Sequence, residues 1–256
     1  MNLRLDLAYD GAPFRGFARQ PHVRTVQGDL EAALGKVFRR EVDTVCAGRT
    51  DAGVHALGQV VSVAAAPDDT DVASVRSALN AMCGPSIAVT RAERARPDFN
   101  ARFSARSRTY VYALWDADVH DPFLTRTAWH RPRRLDVDAM NEAAGHLIGP
   151  HDFRSFGRVP EPEASAERVL FELKAARQGS LVRIRARANA FIHQMVRSLV
   201  GTLIEVGEAR RDPNSMADAL ARHDRAAAGP VAPPHGLCLV SVEYDDGWSV
   251  PFDPYL

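Results

Sequence analysis

One carboxylate, Asp51, lies in a connection between two predicted strands where it could take part in catalysis. Gly48 and Gly53 bracket this aspartate, and Arg49 precedes it by two residues. Because glycine lets the backbone turn tightly, such a connection can present a single carboxylate at a sheet edge. There the carboxylate could act as a nucleophile or as a general base. An aspartate in a glycine-rich turn is also ordinary turn chemistry, so this pattern leaves both interpretations open.

A second candidate is a predicted strand over residues 103–115 that alternates cationic and aromatic side chains. The period of two places four of them on one face: Arg106, Arg108, Tyr110 and Tyr112. Guanidinium groups and rings that share a strand face can neutralise phosphates and stack on bases. The alternative is a solvent face on which the aromatic rings pack beneath a loop.

A third candidate is Arg197, on a helix predicted over residues 190–206. The apolar residues of this segment form a continuous stripe, with Arg197 at its edge and His193 one turn earlier. A cation at the rim of a buried face can keep a neighbouring carboxylate ionised in a partly dry cleft. An arginine that simply extends its charged end into water would give the same pattern.

Several other kinds of site find no support in the sequence. The three cysteines, Cys46, Cys83 and Cys238, are far apart and have no histidine or cysteine at metal-ligand spacing. The chain also lacks the G-x-G-x-x-G, P-loop, H-E-x-x-H and G-x-S-x-G motifs. We therefore expect a reaction that carboxylate, arginine and tyrosine perform without a metal or a cofactor.

Charge is sorted along the chain although the formal net charge is zero. Residues 91–134 hold ten arginines against five acidic residues, and residues 154–197 hold eight arginines and one lysine against four. Acidic residues outnumber basic ones in 135–153 and in 198–256. This distribution permits a basic face on a neutral protein, so zero net charge does not exclude a nucleic acid as partner. The excess of arginine over lysine is weak evidence, since a GC-rich genome also explains it.

The elements that must position these residues follow the order β-α-β-β-α-β twice. The first set comprises a strand at 2–9, a helix from Thr25, strands at 42–47 and 57–65, a helix at 72–82 and a strand at 87–90. The second comprises a strand at 103–115, a helix at 136–148, two strands meeting at 178–180, a helix at 190–206 and a strand at 237–244, with an extra short helix at 214–224. This order predicts an α+β protein of two ferredoxin-like halves, 1–100 and 101–256, that could join sheet to sheet.

The sequence gives no sign of a membrane segment. No stretch approaches the roughly 18 uninterrupted apolar residues that a membrane helix needs. The first residues alternate like a strand instead of forming a charged region followed by an apolar run. We therefore expect a cytoplasmic protein.

Taken together, the motifs resemble those of the tRNA pseudouridine synthase A family. The segment Gly48-Arg49-Thr50-Asp51-Ala52-Gly53-Val54-His55, followed by Gly58-Gln59-Val60, is similar to the family's catalytic motif. Further similarity lies in Tyr9-Asp10-Gly11 with Gly16, Val26-Gln27, the segment 99–105, the segment 188–201 and Gly236-Leu237-Cys238-Leu239. The resemblance therefore extends in order over nearly the whole chain.

The resemblance implies an enzyme that isomerises uridine to pseudouridine at positions 38, 39 and 40 of the tRNA anticodon stem-loop, without metal or redox cofactor. In that family, Asp51 would be the catalytic aspartate and Tyr110 the tyrosine that stacks on the target base. Arg197 would be the basic partner of the aspartate, and Arg49 an arginine associated with displacing the base. The family also implies a pseudouridine synthase fold with an active-site cleft between its halves, and a homodimer whose tRNA spans both subunits.

The chain departs from the family pattern at a few positions. Phe17 stands where the family often has tryptophan, and Thr109 and Val111 stand where basic residues are common. The loop 151–166 resembles the family at its start and then becomes acidic and proline-rich, so we assign it no role. These differences bear on how the RNA is gripped and leave the aspartate, the tyrosine and the arginine in place.

Two other functions are compatible with parts of the sequence. A non-catalytic RNA-binding module would use the Arg/Tyr strand face, bind tRNA and leave every uridine intact. A cofactor-free hydrolase of nucleosides or glycosides would release free uracil. Product analysis separates both from an isomerase, since isomerisation leaves the mass unchanged.

Overall fold

The computed structural model describes residues 1–159, 161 and 163–248. Its α-helices are α1 (Val26–Phe38), α2 (Val72–Cys83), α3 (Val137–Gly145), α4 (Met195–Gly207) and α5 (Ser215–Arg222). Its strands are β1 (Asn2–Tyr9), β2 (Thr44–Cys46), β3 (His55–Val63), β4 (Ile87–Ala95), β5 (Ser107–Trp115), β6 (Trp129–His130), β7 (Gly149–Asp152), β8 (Glu167–Gln178), β9 (Leu181–Ala188), β10 (Leu237–Tyr244) and β11 (Gly247–Trp248).

The chain forms two compact units. Among the described residues, unit 1 consists of 1–108 and 238–248, and unit 2 consists of those within 109–237. These units differ from the halves 1–100 and 101–256 predicted from the element order. The difference arises because β10 pairs in parallel with β3 and thereby joins unit 1.

Unit 1 is built on a sheet in which β1 lies between β3 and β4, antiparallel to both. The short strand β2 pairs antiparallel with β3, so both ends of the connection that contains Asp51 are fixed to the sheet. The alternating leucines predicted for β1 are fully buried at Leu3, Leu5 and Leu7. Their burial explains why this strand could be recognised from its period of two.

The first helix of unit 1 begins where the sequence indicates. The Thr25 side chain accepts a hydrogen bond from the Gly28 backbone N–H at 3.1 Å. This bond satisfies one of the backbone donors that a helix leaves unpaired at its start. Leu30 and Leu34 on the same helix are fully buried, as the helical spacing predicts.

Unit 2 is built on strands β5, β9, β8 and β7, which are neighbours in that order. The hairpin of β8 and β9 turns at Gly179, which has a φ of +62°. The helices α3 and α4 contact each other, and α3 also contacts β8. Both units therefore combine helices with mainly antiparallel strands, and the predicted α+β class is confirmed.

Two predicted elements begin four or more residues later than the sequence suggests. The strand predicted from residue 103 begins at Ser107, because the Asn100 side chain accepts hydrogen bonds from the backbone N–H groups of Arg102 and Phe103 and so forms a turn there. The helix predicted from residue 190 begins at Met195. The sequence also did not reveal the short strands β6 and β7.

Within residues 1–159, 161 and 163–248, none of the helices is long and apolar enough to cross a membrane. In the same ranges, no group of three or more His, Cys, Asp or Glu side chains is placed to hold a metal ion.

Candidate functional site

The connection between β2 and β3, residues 47–54, forms a tight turn that carries Asp51; we call it the Asp51 loop. The Val54 N–H donates to the Asp51 carbonyl oxygen at 3.1 Å, and Gly53 adopts a φ of +80°. This left-handed conformation favours glycine over any other residue. Asp51 itself is half-buried, while Arg49 and Ala52 are exposed.

Two buried polar side chains, those of Gln59 and Tyr9, form hydrogen bonds with the Asp51 loop. The Gln59 amide donates to the Gly48 carbonyl oxygen at 2.6 Å and to the Tyr9 hydroxyl oxygen at 3.3 Å. The Tyr9 hydroxyl and the Thr50 hydroxyl share a hydrogen bond of 2.8 Å. Since buried polar groups that lose their partners cost free energy, these bonds stabilise one conformation of the loop.

The segment after β1 lies against the other side of the loop. The Phe17 N–H donates to the Thr50 carbonyl oxygen at 3.0 Å, and the Gly11 N–H donates to His55 Nδ1 at 3.1 Å. A Cβ atom on Gly11 would lie 2.1 Å from the Val54 carbonyl oxygen, closer than any real contact allows. The glycine at position 11 is therefore required by the close approach of two backbones.

Arg108 holds the start of the loop. Its guanidinium donates to the Ala47 carbonyl oxygen from Nε at 3.1 Å and from Nη2 at 2.9 Å. It also donates to the carbonyl oxygens of Ala105 and Arg102, at 3.2 and 2.5 Å. Arg108 is only 7% exposed, so these main-chain acceptors solvate a buried cation.

Cys46 lies just before the loop and is unsuited to be a nucleophile. Burial raises the pKa of the Cys46 thiol to about 11, against the opposing charges of Arg49 and Arg102. The thiol is therefore neutral near pH 7, whereas the reactive form of cysteine is the thiolate. All three cysteines are buried, and none forms a disulfide.

In unit 2, Tyr110 lies on β5 and contacts Phe191. The two rings are perpendicular, with their centroids 5.2 Å apart. Tyr110 is 7% exposed, and Phe191 is half-buried. This edge-to-face geometry is the favoured one for aromatic pairs and fixes the orientation of the tyrosine ring.

The segment that carries Phe191 is extended and not helical. The Asn189 side chain accepts from the Val169 N–H at 2.9 Å, which fixes the start of the segment against β8. His193 exchanges two backbone hydrogen bonds with Arg158, of 3.0 and 3.2 Å. Gln194 then adopts a φ of +63°, and α4 begins at the next residue. The late start of α4 therefore depends on contacts with residues distant in sequence, Val169 and Arg158, which apolar periodicity cannot reveal.

Arg197, in the first turn of α4, is held by Ala232. Its Nε donates to the Ala232 carbonyl oxygen at 2.7 Å, and the Ala232 N–H donates to the Arg197 carbonyl oxygen at 3.0 Å. The chain comes so close here that a Cβ on Gly201 would lie 1.7 Å from the Pro230 carbonyl oxygen. Arg197 is therefore a positioned, half-buried cation.

Tyr112, two residues after Tyr110, is part of the core. It is fully buried, and its hydroxyl donates to the Pro233 carbonyl oxygen at 2.8 Å. Burial raises the pKa of Tyr112, and the charge of Arg197 opposes that shift. A side chain in this position is not available to stack on a base.

The predicted Arg/Tyr platform is wrong as an open strand face. Arg108, Tyr110 and Tyr112 are buried, and Arg106 precedes β5 and forms an ion pair with Asp245 at 2.6 Å. The reason is that both faces of β5 are covered, since every residue from Ser107 to Leu114 is buried. The role of Tyr110 stays a prediction.

The predicted site residues fall into two groups. Asp51 and Arg49 share one loop of unit 1, while Tyr110 and Arg197 belong to unit 2. Sequence reasoning missed the supporting roles of Tyr9, Gln59 and Phe191. Tyr9 ends the apolar pattern of β1, and Gln59 interrupts that of β3. A single polar group in an apolar strand is the signal that could have indicated a supporting role.

Comparison with known proteins identifies the chain. A family model described as tRNA pseudouridine synthase matches residues 7–104 and 143–245. The chain belongs to the tRNA pseudouridine synthase family, and the resemblance inferred from its motifs is confirmed. Membership of this family makes the chain an isomerase that converts uridine in tRNA to pseudouridine.

Its relatives are similar over almost their whole length. The tRNA pseudouridine synthase A of Paraburkholderia phytofirmans is 44% identical over 250 residues, which cover 97% of this chain and 92% of the relative. The protein of the same name from Paraburkholderia xenovorans is 43% identical over 249 residues, covering 97% and 92%. That from Burkholderia mallei is 43% identical over 253 residues, covering 98% and 93%.

One solved structure shows a more remote similarity. A chain in the crystal structure of a Cbf5-Nop10-Gar1 complex aligns with a TM-score of 0.35 and 12% sequence identity, over 79% of this chain and 54% of that one. The family assignment does not depend on it.

Proposed function

We propose that this enzyme converts uridine to pseudouridine at positions 38, 39 and 40 in the anticodon stem-loop of tRNA, with Asp51 as the catalytic residue and without metal or redox cofactor. The observation that carries the proposal is the Asp51 loop. Gln59 and Arg108 bind its main-chain carbonyl oxygens and Tyr9 binds the Thr50 hydroxyl, while the Asp51 side chain is left partly accessible. A carboxylate held in this way is preorganised for one reaction geometry.

The reaction requires one bond to break and another to form at the same sugar carbon. The bond between C1′ and N1 of uridine breaks, the uracil turns while it stays bound, and C5 then bonds to C1′. The proton on C5 leaves and N1 gains one, so the composition does not change. Since a stacked or paired nucleotide hides these atoms, the target must first be flipped out at a cost of a few kcal/mol.

Each proposed residue has a separate role in this sequence. Asp51 acts on the flipped nucleotide as nucleophile, at C1′ or at C6, or as the base that removes a sugar proton to give a glycal. Tyr110 stacks on the uracil, which offsets part of the cost of flipping, since a stacked base contributes roughly 1–3 kcal/mol.

The two arginines act through their charge. Arg197 is the basic partner of the catalytic aspartate, a role that rests on the family resemblance. Arg49, exposed two residues before Asp51, takes part in displacing the target base from its stack and contacts the phosphate backbone.

The same family resemblance supports a cytoplasmic homodimer in which one tRNA contacts both subunits. Sedimentation equilibrium of the protein with and without tRNA tests this assembly. A monomer that keeps full activity at every concentration would contradict it.

The test of the proposed function compares wild type with Asp51→Ala and Asp51→Asn on an unmodified tRNA transcript. Pseudouridine is mapped by carbodiimide labelling and primer extension. We expect labelling at positions 38 to 40 with wild type only, and tRNA binding by both variants within a few-fold of wild type, because the phosphate contacts remain. Asp43→Ala, at an exposed aspartate of the same unit, serves as the matched control and should leave labelling unchanged.

Two results would contradict the proposal. Turnover by Asp51→Ala would show that Asp51 is not the catalytic residue. Labelling at other tRNA positions would show that the targets are not positions 38 to 40. Mass spectrometry of the products excludes a hydrolase if no free uracil appears.

A further inference from the structure

Phe103 is an exposed aromatic ring for which the fold of unit 1 provides no burial. Its relative exposure is 79%, whereas most large apolar side chains of this unit are buried. It lies in the turn Asn100–Ser104, which precedes β5 and which we call the Phe103 turn. Such a ring gains little from folding, because the hydrophobic contribution depends on the apolar area removed from water.

The Phe103 turn is rigid in spite of this exposure. The Asn100 side-chain oxygen accepts from the N–H groups of Arg102 and Phe103, at 3.0 and 3.1 Å. In return, the Ser104 hydroxyl accepts from the Asn100 N–H at 3.1 Å. These local bonds define the backbone on both sides of Phe103, so the direction of its Cα–Cβ bond is fixed.

Buried groups beneath the turn anchor it to unit 1. Ala101 is fully buried; its N–H donates to the Ser62 hydroxyl at 3.2 Å, and its carbonyl oxygen accepts from the Tyr244 hydroxyl at 2.8 Å. These bonds fix the main chain of the turn against the core of unit 1.

The Phe103 turn and the Asp51 loop share one hydrogen-bond donor. The buried guanidinium of Arg108 donates both to the Arg102 carbonyl oxygen and to that of Ala47, the residue before Gly48. The backbone of the Phe103 turn is therefore linked to the proposed catalytic loop through Arg108, and both belong to unit 1.

A positive charge lies over the ring. The Arg102 guanidinium is 5.5 Å from the centroid of the Phe103 ring. Arg106, which follows the turn, is instead paired with Asp245 at 2.6 Å.

We propose that the Phe103 turn is a tRNA-binding element in which the Phe103 ring stacks on an unpaired base beside the target uridine and Arg102 contacts the adjoining phosphate. An exposed ring next to a guanidinium matches the two faces of a nucleotide, since the ring accepts any base and the cation binds the phosphate. The inference deepens the proposed function, because it rests on a tRNA bound with its target at the Asp51 loop.

The test measures tRNA binding without turnover, in the Asp51→Ala background. Phe103→Ala should weaken binding roughly 5- to 150-fold, which corresponds to the loss of one stacked base. Phe103→Trp should retain the affinity, and the fluorescence of its indole should be quenched by tRNA beyond the quenching seen in the parent protein. Phe103→Leu keeps the apolar character without the flat ring and should bind as weakly as Phe103→Ala.

Two further variants define the contact. Arg102→Ala should reduce the slope of log affinity against log salt by about one, as expected for one lost phosphate contact. Phe123→Ala removes an even more exposed ring, 91% accessible, from unit 2 and is the matched control. It should bind tRNA as the parent does.

The proposal is overturned if Phe103→Ala binds like the parent, or if Phe103→Leu binds like Phe103→Trp. It is also overturned if Phe103→Ala loses affinity only because the protein changes its oligomeric state, which would identify the ring as a contact between two copies. These outcomes do not depend on catalysis. Residual turnover by Asp51→Ala would remove the catalytic assignment and leave the binding result intact.

Discussion

Arg108 donates two hydrogen bonds to a single carbonyl oxygen, that of Ala47, at 3.1 and 2.9 Å. The acceptor is the residue from which the Asp51 loop starts, and the donor stands at the beginning of β5. A buried arginine with carbonyl oxygens as partners serves here as an anchor for the main chain. This arrangement suits the planar, five-donor guanidinium and not the compact ammonium of lysine.

Replacing this anchor should damage stability and catalysis together. Arg108→Lys cannot make the same set of bonds and leaves buried carbonyl oxygens unsatisfied, which we expect to cost about 2–4 kcal/mol. The catalytic rate should fall at least about tenfold, since the loop is no longer held in place. Urea unfolding and single-turnover kinetics measure the two effects. Arg106→Lys, at an exposed ion pair nearby, should change neither; a normal rate in Arg108→Lys would refute the anchoring role.

Gly11→Ala should disturb the Asp51 loop from its other side. The new Cβ would lie 2.1 Å from the Val54 carbonyl oxygen, so one of the two backbones must move. Overpacking of this kind costs about 1–3 kcal/mol. Gly145→Ala is the matched control, because a Cβ there meets nothing within 4 Å; as a substitution in a helix, it should raise stability by about 0.4–1 kcal/mol. Thermal unfolding and pseudouridine yield compare the pair, and equal behaviour would contradict the contact.

Phe191→Ala should lower activity through Tyr110. The perpendicular ring pair contributes about 0.5–1.5 kcal/mol, so we expect kcat/KM for tRNA to fall roughly 2- to 12-fold. Phe171→Ala, at a partly exposed ring on β8 of the same unit, should leave kcat/KM within about twofold. If both variants lose activity equally, the loss is not specific to the Tyr110 contact.

Stability at low pH should depend on Glu208, which follows α4. Burial acts to raise the pKa of Glu208, but its hydrogen bonds and ion pairs with Arg131 and Arg210 outweigh burial and hold the pKa below its ordinary value of 4.5. The folded state therefore binds the proton more weakly than the unfolded chain. The stabilisation is complete above the unfolded pKa and is lost as pH falls through the folded one.

A pH series measures this contribution. From about pH 7 to about pH 3, wild type should lose more stability than Glu208→Gln, whose side chain does not titrate. Glu142→Gln, at an exposed position on α3, should follow the wild-type curve. Parallel curves for wild type and Glu208→Gln would show that the ion pairs contribute nothing.

The sequence predicted those elements whose apolar period matches their burial. The last strand, expected at 237–244, has those bounds, and the helix expected at 72–82 is observed as Val72–Cys83. β7 escaped prediction because Gly149–Asp152 has no apolar alternation and depends on its pairing with β8. Local sequence patterns thus predict helices and strands that bury one face. Short strands such as β7 depend on pairing with a neighbouring strand and cannot be predicted in this way.

The site residues divide in the same way. Asp51 and Arg49 could be predicted because they lie close together in the sequence, between Gly48 and Gly53. Phe191 was not, because its contact with Tyr110 joins residues 81 positions apart. The stacking platform was mispredicted because alternation locates a face but does not show whether another layer covers it.

The Asp51 loop is held mainly through hydrogen bonds from residues outside it, and this affects which substitutions the enzyme can accept during evolution. Tyr9, Gln59 and Arg108 bond to the Thr50 hydroxyl and to carbonyl oxygens, so the shape of the loop owes little to the side chains at positions 49 and 52, which are exposed. Substitutions at the exposed positions 49 and 52 can therefore change the chemistry of the loop while the fold stays nearly constant. Substitutions at Tyr9, Gln59 or Arg108 are expected to be selected against as folding defects.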